Sequence, residues 1–177
     1  MLAAAATASG LVAARLPFAR AAEEAYGSAQ AMVDALRARK VSSVEVVDAA
    51  ISRIERFDAK LNAICVRSLE QARAAARDAD AALARGDRRT LLGVPVTIKE
   101  SFNIAGLPTT WGLPRGKGWI AKDDALAVAR LKGAGAVVLG KTNVPLMLSD
   151  WQSYNDVYGT TSNPWNPALT PGGSSGG

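Results

Sequence analysis

The stretch LLGVPVTIKE, Leu91–Glu100, decides how this chain is read. Upstream of it, apolar residues recur at helical spacing. Here they run together and are rich in β-branched side chains, the pattern of a short buried strand. Pro95 cannot donate to a strand ladder, so it is expected at a strand edge or start. A second run of this kind, AVVLG, covers Ala136–Gly140. Between the two, Asp124 is placed to cap a helix running through Leu131 and closed by Gly133 and Gly135. Strand, helix, strand predicts an α/β layer with a buried sheet.

Working back toward the N-terminus, three amphipathic helices are expected. Ser28 precedes Met32, Val33 and Leu36, which share one helical face. Ser42 and Glu45 form a capping box ahead of Val44, Val47, Ile51 and Ile54. Ser68 and Gln71 suggest another box ahead of Leu69, Ala72, Ala76 and Leu83, with Gly86-Asp87 as the stop. Beyond Lys141 the pattern becomes loop-like, broken by Pro145, Gly159, Asn163-Pro164, Asn166-Pro167 and Pro171.

Composition narrows the chemistry. The 177 residues are 49% hydrophobic and 21% charged, as in ordinary globular proteins. The net charge of +5 is spread among acids along the helices. No basic and aromatic residues interleave, so the reading is a solvated basic surface with no nucleic-acid partner. The single cysteine, Cys65, excludes an internal disulfide, and its apolar setting LNAICV favours a structural thiol over a reactive one. There is no histidine, which excludes a Ser-His-Asp triad and histidine metal sites within these residues. Acid–base work here falls to Lys, Asp, Glu or Tyr.

Residues 1–22 differ from the rest. Leu2–Ala14 is apolar and uncharged, and Ala19-Arg20-Ala21 fits a small-x-small cleavage site, so this segment reads as an export signal. It lacks a basic start, and Arg15 interrupts it; an Ala-rich helix packed on the domain is the other reading. The protein is periplasmic or secreted on the first reading and cytoplasmic on the second. The run is too short and too interrupted to span a bilayer. Residues 23–177 are taken as one domain.

Two places carry chemistry. Lys99 sits at the mouth of the first strand, where partial burial lowers an amine's pKa and makes it a usable base. Position alone leaves a second reading open: a surface lysine paired with Glu100. The other place is TPGGSSGG, Thr170–Gly177. Its glycines allow tight turns and close approach, and its serines offer hydroxyls. A Gly/Ser linker is the alternative, which the Trp165- and proline-containing run NPWNPALTP argues against.

Five stretches in order, GVPVTIKE, AGLPTTWG, GKTNVP, GTTSNPWNP and TPGGSSGG, resemble the amidase signature family across residues 93–177. The helical stretch Val33–Leu83 is similar to that family's N-terminal helices. The resemblance implies N-terminal helices followed by part of a mixed, helix-covered β-sheet. It also implies hydrolysis of a small-molecule amide through a Ser-cisSer-Lys triad, without cofactor or metal. Lys99 matches the family's base and Ser174 its cis-serine, supported by a loop of Gly172, Gly173, Ser175 and Gly176. The nucleophilic serine is expected about two dozen residues past Ser174, so these residues would form the N-terminal part of a longer enzyme, with most of its sheet still to follow. On that expectation the strand Ala136–Gly140 lacks neighbours. Trp151 and Tyr154, with Trp111, are candidates to line the substrate mouth.

Two other functions stand beside the amidase reading. One is the glutamine-hydrolysing subunit of a tRNA-dependent amidotransferase, which shares the triad. There an SSTENS-like run is expected where this chain has DWQSYND, residues 150–156; Tyr154 replaces an acid and Asp156 a serine. That departure and the export-like start favour a stand-alone amidase. The other is a non-catalytic binding module.

Overall fold

The computed structural model describes residues 27–177, so the export-signal reading of residues 1–22 falls outside the described residues. Helix α1 (Ala29–Arg37) starts where expected: the Ser28 hydroxyl accepts the Ala31 amide at 3.1 Å, and Val33 and Leu36 are buried. Helix α2 (Ser43–Leu61) carries the full capping box, with the Ser42 hydroxyl accepting from Glu45 N and Ser42 N donating to the Glu45 carboxylate. It gains a second cap from the next helix, α3 (Leu69–Ala84): Asp80 accepts the amides of Ser43 at 2.6 Å and Val44 at 3.1 Å. Two orphan donors at the α2 N-terminus are thereby satisfied from a neighbouring element. Asn62 ends α2 in the left-handed conformation at φ 54°.

Strand β1 (Ile64–Arg67) follows at once. The sequence does not announce it, because four residues between two long helices carry too little periodicity. Its presence explains two corrections. Ser68 does not form the expected box: its hydroxyl donates to Val138 O at 3.1 Å and its amide to Leu139 O at 3.0 Å, extending the sheet edge. The strand Ala136–Gly140 is also not left without neighbours. It belongs to β3 (Val137–Thr142), the central strand of the order β1-β3-β2, where β2 is Pro95–Lys99. β1 runs antiparallel to β3 and β2 parallel to it. The sheet is thus mixed, and Pro95 opens β2, where its missing N–H costs least.

A parallel pair needs a crossover, and α4 (Leu126–Gly133) supplies it. Asp124 does not cap α4, which begins two residues later; its carboxylate accepts Ala105 N at 2.8 Å and holds Lys132 at 2.8 Å. With its carboxylate committed to that loop amide and to Lys132, Asp124 leaves the helix start at Ala125 without a side-chain cap. After α4 the chain turns through Gly135 at φ +92°, where a Cβ would lie 2.7 Å from the Leu92 Cα.

Alternation along β3 places the two layers. Val137 and Leu139 face α2 and α3, joining Val47, Ile51, Ala72 and Ala76. Val138 packs on the other face with Val128, Ile98 and Ile104. The alanines along α3 allow the helices to approach closely, so a core lean in large side chains still closes. A small hairpin, β4 (Tyr154–Asn155) and β5 (Gly159–Thr160), follows β3. Among the described residues no helix is long and apolar enough to cross a membrane.

Candidate active site

The register between β2 and β3 runs to its last pair, Lys99 with Thr142. Lys99 is therefore held by a rigid strand while its side chain leaves the sheet end. Its ammonium donates to the Ser174 hydroxyl at 2.8 Å, across 75 residues of chain. Partial burial holds the Lys99 pKa below the usual lysine range. The alternative, a surface ion pair with Glu100, is not what forms. Glu100 is fully buried and accepts from Thr110 N, the Thr110 hydroxyl, Trp111 N and the Tyr158 hydroxyl.

Ser174 is positioned by the glycines around it. Gly172 turns at φ +94° and its carbonyl accepts the Ser153 hydroxyl at 3.2 Å. A side chain on Gly173 would lie 2.6 Å from Gln152 O and 2.7 Å from the Trp151 carbonyl carbon, so only glycine lets these two loops lie together. A Cβ on Gly176 would run into Gly172 O and the Ser153 hydroxyl. The Gly173–Ser174 peptide is cis. Ser175 is exposed on the same turn. The string is a packed loop, not a linker.

The loop against Gly173 is carried by the hairpin. Thr161 N donates to Ser153 O at 2.9 Å. Two buried asparagines tie the hairpin to the end of β3. Asn155 donates to the Asn143 side-chain oxygen and Val144 O, while Asn143 donates to Gly159 O and the Thr161 hydroxyl. Trp151 has its backbone against Gly173 and is 85% exposed as a residue; Tyr154 on β4 is half-exposed. Trp111 is half-exposed too, with its indole N–H donating to Ser101 O at 3.1 Å.

Sequence reasoning missed Glu100, Lys141 and Tyr158. Lys141 is fully buried; its ammonium donates to Pro108 O and, at 2.7 Å, to the Thr109 hydroxyl. Burial lowers its pKa to about 8, against the opposing pull of Glu100. Desolvation raises the Tyr158 phenol above its ordinary value. The one signal in the sequence, for Glu100 and Lys141, is that KE and KTN set charges directly after the apolar runs VPVTI and AVVLG. Cys65 is the structural thiol expected: burial raises it to about 12, and its Sγ lies 3.5 Å from Lys141 O.

A cavity of about 560 Å³ lies elsewhere, between α3 and the Ile104–Leu107 loop, and includes Arg85, Leu92 and Val138 but neither Lys99 nor Ser174. The cavity and the Lys99–Ser174 contact are thus separate features of the fold.

A helix-covered mixed sheet that ends in a lysine hydrogen-bonded to a serine of a packed glycine loop defines an α/β protein with a histidine-free lysine–serine pair. The amidase family model matches residues 45–177, and the chain belongs to that family. Over 141 residues it is 46% identical to a glutamyl-tRNA(Gln) amidotransferase subunit of Anaeromyxobacter sp. (strain K), covering 79% of this chain and 29% of that protein. It is 43% identical over 144 residues to the indoleacetamide hydrolase of Bradyrhizobium diazoefficiens, covering 81% and 28%. Its fold superposes on a fatty acid amide hydrolase with a TM-score of 0.84 at 27% identity, covering 90% and 28%. The chain thus spans less than a third of the length of these relatives.

Proposed function

We propose that the protein hydrolyses the carbon–nitrogen bond of a small-molecule amide, with Lys99 as general base and Ser174 as proton relay. The observation that carries this reading is the 2.8 Å contact between Lys99 Nζ and Ser174 Oγ, made by an amine whose pKa is lowered by burial. With Lys99 neutral, the same contact reverses: the Ser174 hydroxyl donates to the amine. Ser174 then takes a proton from a nucleophilic serine that the family pattern puts beyond Gly177. The freed oxygen attacks the amide carbonyl, and the relay returns the proton to the leaving amine. Water releases the acyl group by the same path. Gly172, Gly173, Ser175 and Gly176 hold the relay serine in place, and Trp151 and Tyr154 stand at the mouth.

In the full-length protein, Lys99→Ala and Ser174→Ala are each expected to lower kcat/KM by ~10²-fold or more. Lys99→Arg should be nearly as damaging, since a guanidinium stays protonated. Retained activity in Lys99→Arg with an unchanged pH profile overturns the assignment.

A second reading keeps the same site for glutamine hydrolysis in a tRNA-dependent amidotransferase, favoured by the 46% identity to a protein of that kind. Comparing turnover of free glutamine with that of aryl or alkyl amides separates the two. Processing of residues 1–22 before an export destination belongs to the first reading alone, and the N-terminus of protein from its native host tests it.

A further inference from the structure

We propose that Glu100 is a positioning residue that sets Lys99 against Ser174; this rests on Lys99 being the base. Glu100 follows Lys99 directly, and its amide donates to Thr142 O at 2.9 Å, carrying the ladder one residue past β2. Its side chain then turns inward and loses all contact with solvent. Four donors converge on it: Thr110 N at 2.6 Å, and the Thr110 hydroxyl, Trp111 N and the Tyr158 hydroxyl each at 3.0 Å.

The two ends of this network are the two halves of the catalytic contact. At one end, Glu100 fixes the backbone from which the Lys99 side chain departs. At the other, Tyr158 belongs to the β4–β5 turn, whose amides at Val157 and Tyr158 are held by the Asn155 side chain at 2.9 and 2.8 Å. That hairpin carries Ser153, whose hydroxyl reaches Gly172 O beside Ser174. One carboxylate therefore ties the lysine's strand to the hairpin that seats the serine's loop.

Lys141 completes the frame. It holds Pro108 and Thr109, while Glu100 holds Thr110 and Trp111. Four consecutive residues are thus fixed by one buried cation and one buried anion. The groups facing Glu100 are Thr110, Trp111 and Tyr158 by hydrogen bond, Lys141 through its charge, and the Cys65 thiol, which Glu100 helps to keep protonated. A buried carboxylate is a poor way to gain stability, because apolar replacements of buried ion pairs are often as stable. It is a good way to gain geometry, because only an ionised carboxylate accepts from so many donors without presenting one of its own.

The test is kinetic, on the full-length protein, with Glu100→Gln and Tyr158→Phe measured beside Lys99→Arg. Glutamine preserves shape but turns an NH₂ toward a donor; phenylalanine removes one donor and keeps the charge. Loss of registration between base and relay should lower kcat about 10–100-fold in Glu100→Gln and by less in Tyr158→Phe, with KM within about threefold, since misplacement by an ångström costs on that order. Both variants should shift the basic pKa of the kcat/KM profile upward, as Lys99 becomes better solvated. If Glu100→Gln does not fold, Tyr158→Phe decides alone. Wild-type kcat and pH profile in the folded variants overturn the proposal. A downward shift in Glu100→Gln with none in Tyr158→Phe also overturns it, because the carboxylate would then act through its charge only. An active Lys99→Arg instead removes the reading on which the proposal rests, and the two failures are thereby told apart.

Discussion

Lys141 makes the stability of this protein depend on pH in a way whose sign can be worked out. Its ammonium is fully buried, and its pKa falls from 10.5 to about 8 through desolvation. Between those two values the unfolded lysine is protonated and the folded one is not. The unfolded state then binds more protons, so stability rises with pH, by about 1.4 kcal/mol per pH unit for one group. Cys65 acts in the opposite sense: its thiol moves from 9.0 to about 12, so from pH 9 the unfolded state loses a proton that the folded state keeps. Tyr158, also raised, adds a second loss from its ordinary value of 10.0 upward. The curve should rise from pH 8 to 9, flatten from 9 to 10 where lysine and thiol cancel, and fall above 10. Urea midpoints at half-unit steps measure it. Cys65→Ala should turn the flat stretch into a continued rise of about 1.4 kcal/mol between pH 9 and 10. Lys141→Met should abolish the rise from 8 to 9. Parallel curves for wild type and Lys141→Met over that interval would refute the argument, because the buried amine would then titrate like a free one.

Three further outcomes follow from single contacts. Asp80→Ala removes both acceptors for Ser43 N and Val44 N at the start of α2; a loss of about 1–2 kcal/mol is expected in urea denaturation. Ile51→Ala empties a fully buried position beneath Val137 and Leu139 and should cost about 2–5 kcal/mol by the same measurement. Gly135→Ala meets the Leu92 backbone at 2.7 Å with φ at +92°, so it should lower Tm, whereas the same change at Gly133, which meets nothing within 4 Å, should not.

What is legible in the sequence is local. The Ser42–Glu45 box, the helical face through Val47 and Ile51, the β-branched run at β2 and the tight glycines near Ser174 each act over a few residues, and each forms as its spacing implies. Strand β1 escapes because its pairing partner lies some seventy residues away and four residues leave no period to detect. A separation of 37 residues hides the Asp80 cap, and one of 70 moves the Ser68 hydroxyl from a helix end to Val138 O. The Lys99–Ser174 contact spans 75 residues, and the Glu100–Tyr158 bond spans 58. A motif can name Lys99 and Ser174, but nothing within either motif says what holds them 2.8 Å apart. That separation is set by a buried acid next to the lysine, a phenol from a hairpin turn and two asparagines, Asn143 and Asn155, that join the end of β3 to β4. Each of these reads in sequence as an ordinary polar residue, and each has its role only through burial, where an unmet hydrogen bond is costly enough to fix a position.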